Sequence, residues 1–179
     1  MANIVEIVGL RKAFGGIVVA DDINLQLAAG QVVGLIGPNG AGKTSLFNLM
    51  TGVIVPDAGS VLLDGKPLNG CKMYVRARRG LSRTWQNLRL FPSLSVIDNL
   101  MVAVRNYNGE KLMNVLFAPG SLARSEREYR EKAQQVLEDT GLSAVAGKAA
   151  ADLTFGQQKL VGVARALMND ARCLLLDEP

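Results

Sequence analysis

The sequence contains no histidine and only two cysteines, Cys71 and Cys173, which stand far apart along the chain. Zinc sites are built from closely spaced cysteine and histidine ligands, and neither the residue types nor the spacing is present here. The composition therefore argues against a zinc-binding motif and favours a reduced, cytosolic setting.

Long hydrophobic runs are also absent. A membrane helix needs about 20 predominantly apolar residues in succession, and no stretch of this sequence approaches that length. Residues 1–9 have no basic start and carry Glu6 within their apolar run, unlike a signal peptide or a membrane anchor. If the protein works at a membrane, we expect another subunit to span it.

The residues that are present suit an ordinary globular protein. The chain has 179 residues, of which 49% are hydrophobic and 20% charged, enough for one compact core or for a core with one inserted lobe. The formal net charge of +4 favours anionic partners such as phosphorylated ligands, nucleic acid or membrane surfaces, without selecting among them.

The hydrophobic pattern predicts a strand-rich part, then a helical part, then a return to strand. Ile23, Leu25 and Leu27 alternate with polar residues, which predicts a strand with one buried face in an antiparallel pair. Residues 32–36 are almost continuously apolar, which predicts a central strand covered on both faces.

Helix signals follow. Residues 44–50 predict a helix that ends at Gly52. Residues 95–98 and 125–128 each have the serine and acidic residue of a capping box, which predicts a helix start at each place. Residues 173–176 predict a last strand, directly before two acidic residues.

Residues 37–44 match the phosphate-loop pattern GxxxxGK[ST] in full, between a predicted strand and a predicted helix. Glycines let the backbone N–H groups turn inward, and the helix N-terminus adds the positive end of its dipole, so that the loop can hold a polyphosphate. We predict that Lys43 reaches the β- and γ-phosphates, that Thr44 ligates Mg²⁺, and that Ser45 bonds near the α-phosphate. The predicted phosphate-binding residues of this loop are Gly37, Pro38, Asn39, Gly40, Ala41, Gly42, Lys43, Thr44 and Ser45.

Asp177 and Glu178 directly follow the last apolar strand. In open parallel sheets the ligand lies at the carboxyl ends of the strands, so these acids are expected beside the phosphate loop. We predict that Asp177 contacts Mg²⁺ through water and that Glu178 is the general base that orients or deprotonates the attacking water. Acids at a strand end are often only solvated, and it is the phosphate loop that makes a functional role the better interpretation.

Four arginines, Arg76, Arg78, Arg79 and Arg83, form a basic stretch. Lipid headgroups or nucleic acid are possible partners for such a stretch, but charge runs of this kind are usually solvated. We therefore interpret it as a solvated face and expect no nucleic acid partner.

Three further features resemble one family of P-loop proteins. Residues 153–157, Leu-Thr-Phe-Gly-Gln, resemble the ABC signature LSGGQ, with Thr154 keeping the hydroxyl and Phe155 replacing the first glycine. Gln86 resembles the Q-loop glutamine, whose amide contacts the metal or the water. Phe14 stands where the family places an aromatic ring that stacks on adenine.

Together with residues 10–16 and 83–91 and the polar insertion before Ser125, these motifs make essentially the whole chain similar to ABC transporter ATP-binding subunits. The closest resemblance is to branched-chain amino acid importers. It implies an α/β P-loop NTPase cassette with a RecA-like core, an N-terminal antiparallel β subdomain and an inserted helical subdomain. The implied divisions are residues 1–92 for the β and phosphate-loop part and 93–153 for the helical subdomain. Residues 154–179 would form the helix that follows the signature and the strand before Asp177 and Glu178, which the family calls the Walker B strand.

The resemblance also implies an ATPase that uses ATP and Mg²⁺ and dimerises head to tail with a second ATP-binding subunit. Thr154, Gly156 and Gln157 would then contact the nucleotide held by the neighbouring subunit. The implied metal ligands are Thr44, Gln86 and Asp177, and the implied catalytic residues are Glu178 and Gln86. Further implied partners are a transmembrane permease and, indirectly, a periplasmic or extracellular binding protein, with the chain in the cytoplasm at the inner face of the cell membrane.

The sequence departs from the family at its end. The family continues past the Walker B acids with a D-loop, a core strand and a switch histidine, whereas this chain stops at Pro179. That difference implies a chain truncated after the Walker B motif, which binds ATP but hydrolyses it poorly. A soluble ABC ATPase and a nucleotide-binding module without turnover are the alternatives, and a P-loop GTPase is disfavoured because no guanine-reading Asn-Lys-x-Asp sequence occurs.

Overall fold

The computed structural model describes residues 3–84, 90–104 and 119–177. The helices and strands are β1 (Asn3–Phe14), β2 (Ile17–Ala28), α1 (Lys43–Thr51), β3 (Ala58–Leu63), β4 (Lys66–Pro67), α2 (Met73–Arg78), β5 (Leu81–Arg83), α3 (Val96–Val102), α4 (Pro119–Asp139), α5 (Phe155–Leu167) and β6 (Cys173–Leu175). They form two compact units: the chain up to Arg83 together with residues 172–177, and residues 84–171. No helix in the described ranges is long and apolar enough to cross a membrane.

The first unit contains a four-stranded antiparallel sheet in the order β2-β1-β3-β4. In β2, Leu25 pairs with Ile7 and Leu27 pairs with Val5 of β1. Ile23, Leu25 and Leu27 all pack against the core cluster of this unit. The predicted half-buried antiparallel strand is thus confirmed.

A second, parallel pair in the same unit joins β5 to β6, with Leu81 opposite Cys173 and Arg83 opposite Leu175. Cys173 and Leu175 are buried in the same cluster as Leu49 of α1. The predicted last strand is confirmed, and its carboxyl end leads into Asp177.

The predicted central strand at residues 32–36 is wrong. The segment forms no strand, and Val32 and Ile36 are 99% and 95% exposed. An apolar run becomes a buried strand only where neighbouring strands supply backbone partners and other layers cover its two faces. Among the described residues β5 and β6 pair with each other and neither pairs with this segment.

Helix α1 begins after Gly42 and ends at Gly52, which has a φ of 81° and donates its backbone N–H to α1 carbonyls. The predicted helix and its glycine stop are therefore confirmed. Arg76 of α2 adds a second closure, because its guanidinium donates to the carbonyl oxygens of Leu49 at 3.0 Å and Met50 at 2.7 Å. The last carbonyl groups of α1 thus accept hydrogen bonds both from the Gly52 N–H and from the buried Arg76 guanidinium.

This contact changes the interpretation of the basic stretch. Arg76 is buried, Arg79 donates to the carbonyl oxygen of Pro67 at 3.1 Å, and Arg78 lies over the ring of Tyr74. The expectation of a solvated face is wrong for Arg76, which is buried against backbone carbonyls, whereas Arg78 and Arg79 are exposed as expected.

The second unit packs α3, α4 and α5 around its own hydrophobic cluster, to which Leu100, Leu137 and Val161 contribute fully buried side chains. The hydroxyl of Ser95 accepts from the backbone N–H of Asp98 at 3.2 Å, which confirms the helix start predicted there. The start predicted at residues 125–128 is wrong because these residues lie inside α4. A serine and an acid three residues apart occur in helix interiors as well as at caps.

Candidate functional site

The predicted phosphate loop, residues 37–44, leads into α1 in the first unit. Gly40 and Gly42 both have a φ of 82°, a conformation that other L-residues rarely adopt. A Cβ on Gly42 would lie 2.8 Å from the carbonyl oxygen of Val19, whereas a Cβ on Gly40 would meet nothing within 4 Å. Position 42 requires glycine both because its φ is positive and because a Cβ would collide with Val19. Position 40 requires glycine only because its φ is positive.

Lys43 folds over this loop. Its Nζ donates to the carbonyl oxygens of Gly37 at 2.6 Å and Pro38 at 2.7 Å. The N-cap of α1 is Gly42, which provides no side-chain hydrogen bond to the first turn. The loop therefore combines an ammonium group with helix N–H groups that an anion can bind. Thr44 follows on the exposed side of the first turn.

Asp177 is almost completely buried, with its side chain 8% exposed, and Oδ2 accepts from Nη2 of Arg83 at 2.6 Å. The Arg83 side chain is itself 4% exposed. Its Nη1 donates to Oδ1 of Asn48 at 2.6 Å, and its guanidinium carbon lies 5.6 Å from the centre of the Phe47 ring. Arg83 thus joins the end of β5, helix α1 and the acid after β6.

Sequence reasoning missed Arg83 as the partner of Asp177 and Asn48 as a second acceptor for Arg83. A signal did exist, because a charged residue that ends an otherwise buried strand needs an opposite charge or hydrogen-bond acceptors nearby. The sequence does not show which acid supplies them, since Asp177 lies 94 residues away.

The oxygen atoms of Asp177 and Thr44 are of the kind that binds Mg²⁺ together with a nucleotide. Mg²⁺ in nucleotide sites takes oxygen ligands, commonly one or two carboxylates together with phosphate oxygens and water. The described ranges contain no cluster of three or more acids, cysteines or histidines able to hold a metal by themselves. The Asp177 carboxylate and the Thr44 hydroxyl are oxygen donors of the kind that a nucleotide-borne Mg²⁺ needs.

The predicted signature lies at the start of α5 in the second unit. Thr154 caps this helix: its Oγ1 accepts from the N–H of Gln157 at 3.3 Å, and Oε1 of Gln157 accepts from the N–H of Thr154 at 3.0 Å. Phe155 is 66% exposed, and a Cβ on Gly156 would meet nothing within 4 Å. The first turn of α5 is therefore open to solvent and built on a complete capping box.

Phe14 lies at the end of β1 with its ring exposed, and Nζ of Lys12 is 5.1 Å from the ring centre. Lys12 is held in turn by Asp57 at 2.6 Å. An exposed aromatic ring offers a flat apolar face for a planar base. Gln86 and Glu178 lie outside the described residues, and their roles stay predictions.

A family model described as "ABC transporter" matches residues 20–179. The chain belongs to the ABC transporter family. The predicted α/β fold class of an ABC cassette and the predicted ABC-type ATPase are both confirmed.

Curated ABC proteins from two bacteria align over nearly the whole chain. The high-affinity branched-chain amino acid transport ATP-binding protein BraF of Pseudomonas aeruginosa is 41% identical over 98% of this chain and 69% of its own length. The protein of the same description, LivG of Escherichia coli K12, is 39% identical over 96% of this chain and 67% of its own length. The chain thus spans about two thirds of these ABC relatives.

A solved ABC cassette agrees with the fold. The ADP conformation of MJ1267, an ATP-binding cassette of an ABC transporter, matches with a TM-score of 0.80 and 31% sequence identity, over 97% of this chain and 68% of that one. ABC cassettes bind ATP or ADP. This chain has, in residues 37–44, the glycine-rich pattern with a lysine that suits the phosphates of a nucleotide.

Proposed function

We propose that this chain binds Mg-ATP through the phosphate loop, residues 37–44, with Ser45 and Asp177, and energises an importer of branched-chain or other amino acids. One observation carries the nucleotide assignment: the Lys43 ammonium lies over a glycine-shaped turn at the uncapped start of α1. The names of BraF and LivG support the amino acid assignment.

The loop residues would bind and orient the nucleotide. A polyphosphate would replace the two carbonyl oxygens that Lys43 now contacts with charged acceptors, which form shorter and stronger hydrogen bonds. Phe14 would support the adenine ring. Thr44, Gln86 and Asp177 would hold the Mg²⁺, which when bound neutralises charge on the phosphates. Glu178 would take a proton from the attacking water.

A second subunit would complete each site. The exposed first turn of α5 would face the nucleotide of the neighbouring subunit, with the Thr154 hydroxyl, the Gly156 N–H and the Gln157 amide as donors. Its exposure and the open space at Gly156 support this role. A transmembrane permease would receive the motion at the inner face of the membrane, and a binding protein outside the cell would deliver the substrate.

Substitution of Lys43 by alanine tests the nucleotide assignment. Hydrogen bonds to charged groups contribute about 1.5–3 kcal/mol each, and 1.4 kcal/mol is a tenfold change in affinity. We expect Lys43→Ala to weaken ATP binding by about a hundredfold in isothermal titration calorimetry.

Lys66→Ala is the matched control, because Lys66 is an exposed lysine of β4 in the same unit. It should bind ATP like the unaltered protein. Equal affinity in the two variants would contradict the phosphate-loop assignment.

A further inference from the structure

The contacts of Arg83 form a bridge, which we call the Arg83 bridge and define as Asn48, Arg83 and Asp177. Two distances of 2.6 Å join the guanidinium to the amide oxygen of Asn48 and to the carboxylate of Asp177. Guanidinium has five N–H donors in a rigid plane, so one arginine can fix two acceptors on different elements at once. A lysine has the charge without this geometry.

The main effect of the bridge is geometric. A buried ion pair contributes little net stability compared with well-packed apolar side chains, because both charges lose their hydration. What the pair does is restrict the positions of its members. Arg83 and Asp177 are both almost fully buried, so neither side chain can swing into water without breaking the contact.

The bridge also fixes the position of Asp177 relative to α1, which follows the phosphate loop. Asn48 lies on α1, whose first turn carries Lys43 and Thr44. A carboxylate offers about four lone-pair sites, so a hydrogen bond from Arg83 is compatible with simultaneous contact to a metal-bound water. Asp177 is therefore fixed, through Arg83 and Asn48, to the helix that carries Lys43 and Thr44.

We propose that Arg83 is a positioning residue for the metal of Mg-ATP, because it fixes the orientation of the Asp177 carboxylate through the Arg83 bridge. This inference rests on the proposed function, since the metal arrives with the nucleotide. Arg83 would act through Asp177 and not by touching the metal or the phosphates itself. Groups that orient a metal ligand in this way typically change metal affinity by about 10–100-fold when removed.

The test is the gain in ATP affinity that Mg²⁺ produces. ATP is titrated into the full chain by calorimetry, once with MgCl₂ and once with EDTA, and the ratio of the two affinities is the metal increment. We expect Arg83→Gln to lower the increment about tenfold and to leave the affinity in EDTA unchanged. Arg83→Lys should restore part of it, and Asn48→Ala should lower it severalfold.

Arg79→Gln is the matched control, because Arg79 is exposed and its guanidinium donates to the backbone carbonyl oxygen of Pro67, away from the Arg83 bridge. Its increment should equal that of the unaltered protein. A purely structural role of Arg83 would change the melting temperature without changing the increment.

An unchanged increment in Arg83→Gln would overturn the proposal, and a larger one would also do so by showing that Arg83 competes with the metal. If Arg83→Gln loses cooperative thermal unfolding, the same criterion applies to Arg83→Lys and Asn48→Ala. Absence of ATP binding to the unaltered protein in both titrations would instead refute the proposed function, and the inference with it. Normal binding with a full increment in the variants refutes the inference alone.

Discussion

Gly40 and Gly42 have the same φ of 82° but different surroundings. Alanine at Gly40 would carry only the cost of the left-handed conformation, about 1–2 kcal/mol. Alanine at Gly42 would carry that cost and would also press its Cβ to 2.8 Å from the carbonyl oxygen of Val19, which belongs to the backbone of β2 and cannot rotate away. The close approach of the loop to β2 therefore depends on position 42.

We expect Gly42→Ala to lower the free energy of unfolding by about 3 kcal/mol and Gly40→Ala by about 1 kcal/mol. Urea denaturation followed by circular dichroism measures both. Since the two variants share the backbone strain, their difference isolates the contact with Val19. Equal losses would show that the loop moves away from β2 without cost.

Helix α1 depends on contacts at its carboxyl end. Gly52 turns the chain there, and Arg76 donates to two α1 carbonyls while lying so close that a Cβ on Gly52 would be 2.7 Å from its Nε. Burial also lowers the pKa of Arg76, because desolvation disfavours the cation. The carbonyl contacts offset that cost. Removing the guanidinium would leave buried carbonyl oxygens without this donor.

We expect Arg76→Met, which keeps most of the side-chain volume, to lower the free energy of unfolding by about 2–4 kcal/mol. The control is Arg78→Met, since Arg78 is exposed on the same helix, and its effect should stay within about 0.5 kcal/mol. Urea denaturation gives both values. If the control loses as much as Arg76→Met, the carbonyl contacts contribute nothing.

Each of the two units has its own hydrophobic cluster. The predicted phosphate loop belongs to the first unit, and the first turn of α5, residues 154–157, which we call the signature turn, belongs to the second. In the proposed dimer, these two features would meet across different subunits. ATP binding to one chain and association of two chains can therefore be measured separately. A substitution in the signature turn should weaken the association of the chains and leave ATP binding unchanged.

The substitution Gly156→Asp distinguishes ATP binding from dimerisation. The open space at Gly156 leaves room for the side chain, and an acid in the first turn of α5 suits the helix dipole, so the fold should be retained. The carboxylate would oppose a neighbour's phosphates. We expect normal ATP affinity by calorimetry but loss of the dimer formed with Mg-ATPγS, measured by light scattering.

Gly147→Asp is the control, because Gly147 also has open space around it but lies outside the signature. It adds the same charge to the same unit and should dimerise like the unaltered protein. Dimerisation of Gly156→Asp would remove the signature turn from the proposed interface.

Several features follow from short stretches of sequence. The α1 start after residues 37–42, its stop at Gly52, and the cap at Ser95 depend on neighbours a few residues away, and all three were predicted. The strand with Ile23, Leu25 and Leu27 was predictable because alternation directly records which face is buried. The helix start at residues 125–128 was mispredicted because the same local pattern also fits inside a longer helix.

Residue types within short stretches of sequence already specify the glycine-rich turn before α1 and the strand that leads into Asp177. The packing of distant segments, in contrast, brings Arg83 to Asp177 from 94 residues away, buries Arg76 at the end of α1 and leaves residues 32–36 exposed. The physical reason is that burial and ion pairing depend on which distant segments pack together. A buried guanidinium and a solvated one have the same letter in the sequence.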